Sequence, residues 1–167
     1  MQDNDVQTCE FNCLDRAADR LFDEAMAVET KFGVNLTDLL DNHDGWYLEP
    51  SEDGIKKFVQ GLGLDKESGV YVLWRAIGFC DVHDKEVYDA VYVGKTGIGI
   101  GTRLRRHLEA KRLGNGMPVE VTTWRGSNRQ AKFVEQLLLD IFAFEANRQE
   151  NPGTARLHVT VDPAAWN

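Results

Sequence analysis

The chain has 167 residues, 43% of them hydrophobic, and a formal net charge of −8, which allows one ordinary domain with its own core plus an appendage. No stretch approaches the roughly 20 apolar residues of a membrane-spanning helix, so no membrane partner is expected. The acidic opening, residues 1–5, lacks the basic flank and apolar run of a signal peptide. Three cysteines, Cys9, Cys13 and Cys80, cannot all pair within one chain, so the expectation is a reducing, cytoplasmic compartment rather than a disulfide scaffold.

Taken in chain order, apolar residues recur at helical spacing over 10–32 (Leu14, Ala17, Ala18, Leu21, Phe22, Ala25, Val28, Phe32), with Gly33 as a stop. This predicts an amphipathic helix with acidic outer faces. Cys9 and Cys13, four apart, can share a helix face, but with no matching Cys/His pair downstream a zinc site is not expected. A short helix follows over 36–40, capped by Asn35. Residues 41–54, rich in Asp, Asn, Gly and Pro, read as a loop, and a further short helix is expected over 54–60. Two strands, 69–74 and 87–94, flank a polar excursion at 78–86 and read as a hairpin with an enlarged loop. A glycine-rich turn leads to a helix over 102–113, closed by Gly114 and Gly116. A third strand is expected over 119–124. Ser127 or Asn128 then caps a long helix reaching residue 144, and residues 157–161 form a terminal strand. The order β-β-α-β-α implies an α+β (α/β) fold with a small, mainly antiparallel three-stranded sheet flanked by helices. Residues 1–66 form an acidic helical N-terminal region and residues 67–167 a second domain.

Charge divides at the same place. Residues 1–66 hold 15 Asp/Glu against 6 Lys/Arg, whereas residues 67–167 hold 12 against 13. Between Tyr92 and Lys132 nine basic residues (Lys95, Arg103, Arg105, Arg106, Lys111, Arg112, Arg125, Arg129, Lys132) face only Glu109 and Glu120. Such an island can hold a phosphate backbone by electrostatics, and Arg105, Arg106, Lys111, Arg112, Arg125 and Arg129 are its candidate contacts. A solvated helix face would carry the same charges, so charge alone does not decide.

The motifs carry more. Gly69-Val70-Tyr71 precedes Tyr92-Val93-Gly94-Lys95-Thr96; Arg103 then stands four residues before His107, Glu135 falls on the long helix, and Asn147 lies twelve residues beyond it. Each tripeptide alone is weak evidence. In this order and spacing the set resembles the GIY-YIG nuclease family over residues 69–153. Two departures stand out. Twenty residues separate Tyr71 from Tyr92, more than in compact members, though restriction-enzyme-like members tolerate longer loops there. The turn at 97–101 is one residue longer than in the repair-nuclease branch, so Arg105 or Arg106 competes with Arg103; the four-residue step to His107 favours Arg103. Asn151, before Pro152-Gly153, competes with Asn147 as the family asparagine or is simply turn chemistry.

The resemblance implies a metal-dependent endonuclease, acting on DNA in preference to RNA. Hydrolysis of a phosphodiester needs an activated water, neutralisation of charge on the phosphoryl oxygens and help for the leaving oxygen. Glu135 is the implied ligand for one Mg²⁺ or Mn²⁺, with water completing the shell. Arg103 is the phosphate clamp, through a planar fork that lysine cannot copy, one turn from His107 on the same helix face. The general base is Tyr92, His107 or Tyr71. A phenol has an ordinary pKa near 10, so a tyrosine base needs positive charge nearby, which Lys95 supplies if it lines the same site as Tyr92. Asn147 would hydrogen-bond within the site rather than react.

Other signals say less. His43 and His83 in polar loops read as surface residues, His158 as structural, and Trp46, Trp74, Trp124 and Trp166 as core or cover. The acidic residues 1–66 are poor phosphate ligands and suit a protein partner. That leaves open a nuclease toxin domain, delivered to another cell and neutralised by such a partner. A catalytically silent nucleic-acid-binding module and a DNA-mimicking inhibitor are the remaining alternatives.

Overall fold

The computed structural model describes residues 9–29, 34–40, 47–110, 119–147 and 151–163. Phe32, Gly33, His43, Trp46, Lys111, Arg112, Gly114, Gly116 and Trp166 lie outside them. Among the described residues, five helices, α1 (Ala17–Glu29), α2 (Leu36–Leu40), α3 (Glu52–Gly61), α4 (Ile100–Glu109) and α5 (Asn128–Ile141), accompany five strands, β1 (Tyr47–Leu48), β2 (Gly69–Cys80), β3 (Lys85–Thr96), β4 (Val119–Arg125) and β5 (His158–Val161). The mixed α+β class agrees with the sequence reading. The three-stranded sheet does not: the strands form one antiparallel sheet in the order β1-β4-β2-β3-β5. The expected trio is its middle. The added edges are β5, read from sequence as a terminal strand but not as part of the sheet, and β1, which lies in a segment read as loop.

The hairpin also differs from the expected one. Both strands run on through the polar excursion, so only residues 81–84 form the turn, with Asp84 at φ 53°. Polar residues persist in these strands because that end of β2 is largely exposed, and a sheet face in water imposes no apolar pattern.

Each face of the sheet carries a core. On one, Phe22 and Met26 of α1, Leu36 and Leu39 of α2, and Val134 and Leu138 of α5 pack with Val70, Val72 and Trp74 of β2. On the other, Ile55 and Val59 of α3 and Ile100 and Leu104 of α4 pack with Tyr71, Leu73 and Val121. The helices before residue 66 therefore share cores with the sheet. In α1 the buried phase is Ala18, Phe22 and Met26, whereas Leu14, Leu21 and Val28 are 79, 53 and 82% exposed. Both i, i+4 and i, i+7 apolar stripes exist in that segment, and periodicity alone could not choose between them.

A bulge decides which side chains meet on the second face. Leu73 pairs with Tyr92 and Trp74 with Ala90, leaving Val91 as the extra residue. An inserted residue shifts the alternation by one. Tyr92 therefore faces the α3–α4 side with Tyr71, while Ala90 and Tyr88 join Trp74 on the other side.

Candidate active site

Tyr71 lies on the central strand, between Gly94 of β3 and Thr123 of β4. A Cβ at Gly94 would sit 2.6 Å from the Tyr71 hydroxyl and 2.8 Å from Cε1 of Tyr92. Only hydrogen lets both rings cross the strand there, which is a packing reason for glycine in the second tripeptide. Gly69 is required in the same way, because a Cβ would run into the Trp124 carbonyl oxygen.

Helix α4 brings the next residues. Ile100, Leu104 and His107 form its buried stripe, so the arginine between them, Arg103, is held half-buried on the same side, one turn before His107. The Tyr71 hydroxyl and Nε2 of His107 are 2.7 Å apart in a buried hydrogen bond. The Tyr92 ring stacks on Tyr71 with centroids 6.0 Å apart and meets His107 edge-on at 4.4 Å. Tyr71 and His107 are buried, whereas Tyr92 is half-exposed. Burial pushes the Tyr71 phenol well above its usual pKa. The Tyr92 phenol and the Glu135 carboxylate push the same way, and the Arg103 charge opposes them. A phenol held protonated in this way is poorly suited to act as the base.

Glu135 reaches the site from α5, which starts with a capping box between Ser127 and Gln130. Its Oε1 accepts the Lys95 backbone N–H at 3.0 Å, so the carboxylate is anchored to β3 directly after Gly94. The Lys95 side chain is not where the sequence reading wanted it. Lys95 and Tyr92 are three apart with no bulge between them, so they point to opposite faces, and Nζ donates to Oδ1 of Asn128 at 3.0 Å. The charge found beside the tyrosines is that of Arg103.

Asn147 makes two bonds to one residue: its Oδ1 accepts the Val93 N–H at 2.9 Å and its Nδ2 donates to the Val93 carbonyl at 2.8 Å. It substitutes for a neighbouring strand at a stretch of β3 beyond the reach of β5. Asn151 instead donates to the Phe144 carbonyl, as a turn residue would. Of the basic candidates, Arg105 is half-exposed and Arg106, Arg125 and Arg129 are exposed; the Arg125 guanidinium donates to the Leu62 carbonyl. Buried His158 fits its structural reading. Burial and the charges of Arg16 and Arg156 lower its pKa, and its Nε2 lies 3.5 Å from the Cys13 carbonyl oxygen.

One grouping went unrecognised in the sequence. Against the expectation of no zinc site, Cys80 and His83 are a downstream Cys/His pair, and the fold brings them to Cys9 and Cys13. The spacing Cys-x₂-His was present, but 66 residues separate it from Cys13, and residues 9–13 precede α1 rather than lie in a helix.

Compared with protein-family models, with curated proteins and with solved structures, the chain matched none.

Proposed function

We propose that the chain is a metal-dependent endonuclease of the GIY-YIG type, hydrolysing phosphodiester bonds and preferring DNA. The observation that carries this reading is the joining of Tyr71, Tyr92 and His107 in one hydrogen-bonded and stacked cluster, with Arg103 and Glu135 both acting electrostatically on Tyr71. Packing alone gives no reason for a phenol pair, an imidazole, a guanidinium and a carboxylate to gather at one end of a sheet.

Glu135 fits a hard cation: it is a half-buried carboxylate oriented by a backbone N–H, the kind of oxygen donor that holds Mg²⁺ or Mn²⁺ together with waters. When bound, such an ion supplies positive charge against that growing on the phosphoryl and leaving oxygens. The Arg103 fork binds the scissile phosphate. Tyr92, half-exposed, acts as the base in its phenolate form, which the positive charge of Arg103 favours: the phenolate oxygen takes the proton of the attacking water as the water oxygen bonds to phosphorus and the leaving oxygen departs. Tyr71 and His107 hold the Tyr92 ring from two sides. Arg105 and Arg106 on α4 and Arg129 on α5, at least half-exposed, are the candidate phosphate contacts.

The test is incubation of the purified chain with plasmid DNA and with RNA, in Mg²⁺, Mn²⁺ or EDTA, beside Glu135→Ala. Cleavage that needs the metal and is lost in Glu135→Ala is expected. No cleavage of either substrate by the parent, or undiminished cleavage by the variant, overturns the reading. A toxin domain with a neutralising partner is a second reading, favoured by exposed Leu14, Leu21 and Val28 at every seventh position. A partner that inhibits the parent but not a variant with serine at all three positions would support it.

A further inference from the structure

We infer that Cys9, Cys13, Cys80 and His83 form a structural zinc site, at the far end of the β2–β3 hairpin from the tyrosine cluster. Their ligating atoms all lie within 4.8 Å of one another. Tetrahedral zinc with Zn–S near 2.3 Å and Zn–N near 2.0–2.1 Å requires S–S edges of about 3.8 Å and S–N edges of about 3.6 Å. Cys9 and Cys80 are 3.6 Å apart at sulfur, and Cys80 Sγ is 3.3 Å from Nδ1 of His83. Few other pairings account for this. Three free thiols leave one over from any disulfide, and an imidazole completing the set has no part in a disulfide. Four protein donors close the shell, which is the pattern of a structural rather than a catalytic site, and three thiolates select Zn²⁺ over Mg²⁺ or Mn²⁺.

The backbone is shaped for it. Cys80 ends β2 and His83 sits in the four-residue turn, its N–H bonded to the Cys80 carbonyl at 3.2 Å. On the other strap the Cys13 N–H donates to Cys9 Sγ at 3.4 Å, around Asn12 at φ 50°, an amide-to-sulfur bond of the kind that supports a ligating thiolate. Phe11, Ile77 and Val87 pack around the cluster. Ile77 is the extra residue of a second bulge in the β2–β3 ladder, this one on β2, between the pairs Ala76–Tyr88 and Gly78–Val87. From Tyr71 to Cys80 the strand covers about 30 Å, so this site is distinct from Glu135. Its role is to staple the segment before α1 to a hairpin tip that projects past both main cores. Binding releases the three thiol protons to solvent as the Zn–S bonds form.

The full chain, produced in zinc-supplemented medium and purified under reducing conditions without chelator, is expected to carry about one zinc by elemental analysis. Glu135→Ala is expected to keep that content, His83→Cys to retain it and His83→Ala to lose most of it. Stripped parent protein titrated with Co²⁺ is expected to show the ligand-field bands of a tetrahedral thiolate site, bleached by Zn²⁺. This measurement does not depend on any variant folding. A parent that neither retains zinc nor gives the cobalt spectrum, or zinc content that survives both His83→Ala and Cys80→Ser, overturns the assignment.

Discussion

Tyr71 and Tyr92 stack on one face of the sheet, yet their surroundings give them different chemistry. The Tyr71 hydroxyl is buried against His107 Nε2, with its phenol pKa raised by burial; Tyr92 keeps an open edge. Tyr71→Phe would leave the imidazole nitrogen without that partner in the interior, a cost of about 1–3 kcal/mol in stability, with a rate loss that follows from a loosened ring. Tyr92→Phe would remove the hydrogen bond that its hydroxyl shares with Tyr71, a cost of about 1 kcal/mol at a half-exposed site, but lower cleavage about 10²- to 10⁴-fold if its phenolate takes the proton. Thermal melts and single-turnover rates on both variants separate the two roles. Tyr92→Phe cleaving within a few-fold of the parent would shift the base to His107. These residues were legible in sequence because each motif fixes a residue type in order along the chain. Which tyrosine is buried was not, since that depends on α4 covering one of them.

At the scale of elements, β3 shows where pattern reading stops. Tyr88, Ala90 and Tyr92 alternate as one face of a regular strand, and only the extra residue Val91 sends Tyr92 to the other side. Nothing in the residue types announces that bulge. Asn147 was picked out by its spacing from Glu135, but not as a mimic of a strand edge, because the chain that it pairs with is remote. Its paired bonds hold Val93 between Tyr92 and Gly94. Asn147→Ala would remove both, costing about 1–3 kcal/mol for the pair, and would lower cleavage by letting β3 drift from α4. Denaturant midpoints report the first effect, and faster hydrogen exchange at the Val93 amide would locate it. An unchanged Val93 amide would rule out this role. Lys95 illustrates the opposite error: correct spacing from Tyr92, but odd parity, so its ammonium pairs with Asn128 on the other side.

For the whole molecule, the division into an acidic appendage and a second domain hid how the halves meet. Composition changes near residue 66, but β1 pairs with β4 through Tyr47 and Glu120, and α1 and α2 lie over the same sheet as α5. Glu120 carries a consequence of that junction. It is half-buried, and burial, with the Glu86 charge adding to it, lifts its pKa from 4.5 to about 7. The folded chain therefore binds a proton at Glu120 that the unfolded chain has released between those values, so stability falls as pH rises through about 7 and is fully present below about 4.5. After discounting for solvent at a half-buried site, the loss between pH 5 and pH 8 is roughly 1–2 kcal/mol, a fall of about 5 °C in Tm for a chain of this size. Glu120→Gln, neutral throughout, should flatten that part of the Tm-against-pH curve and melt higher than the parent at pH 8. If parent and variant run parallel from pH 5 to pH 8, burial of this carboxyl is not what couples the junction to pH.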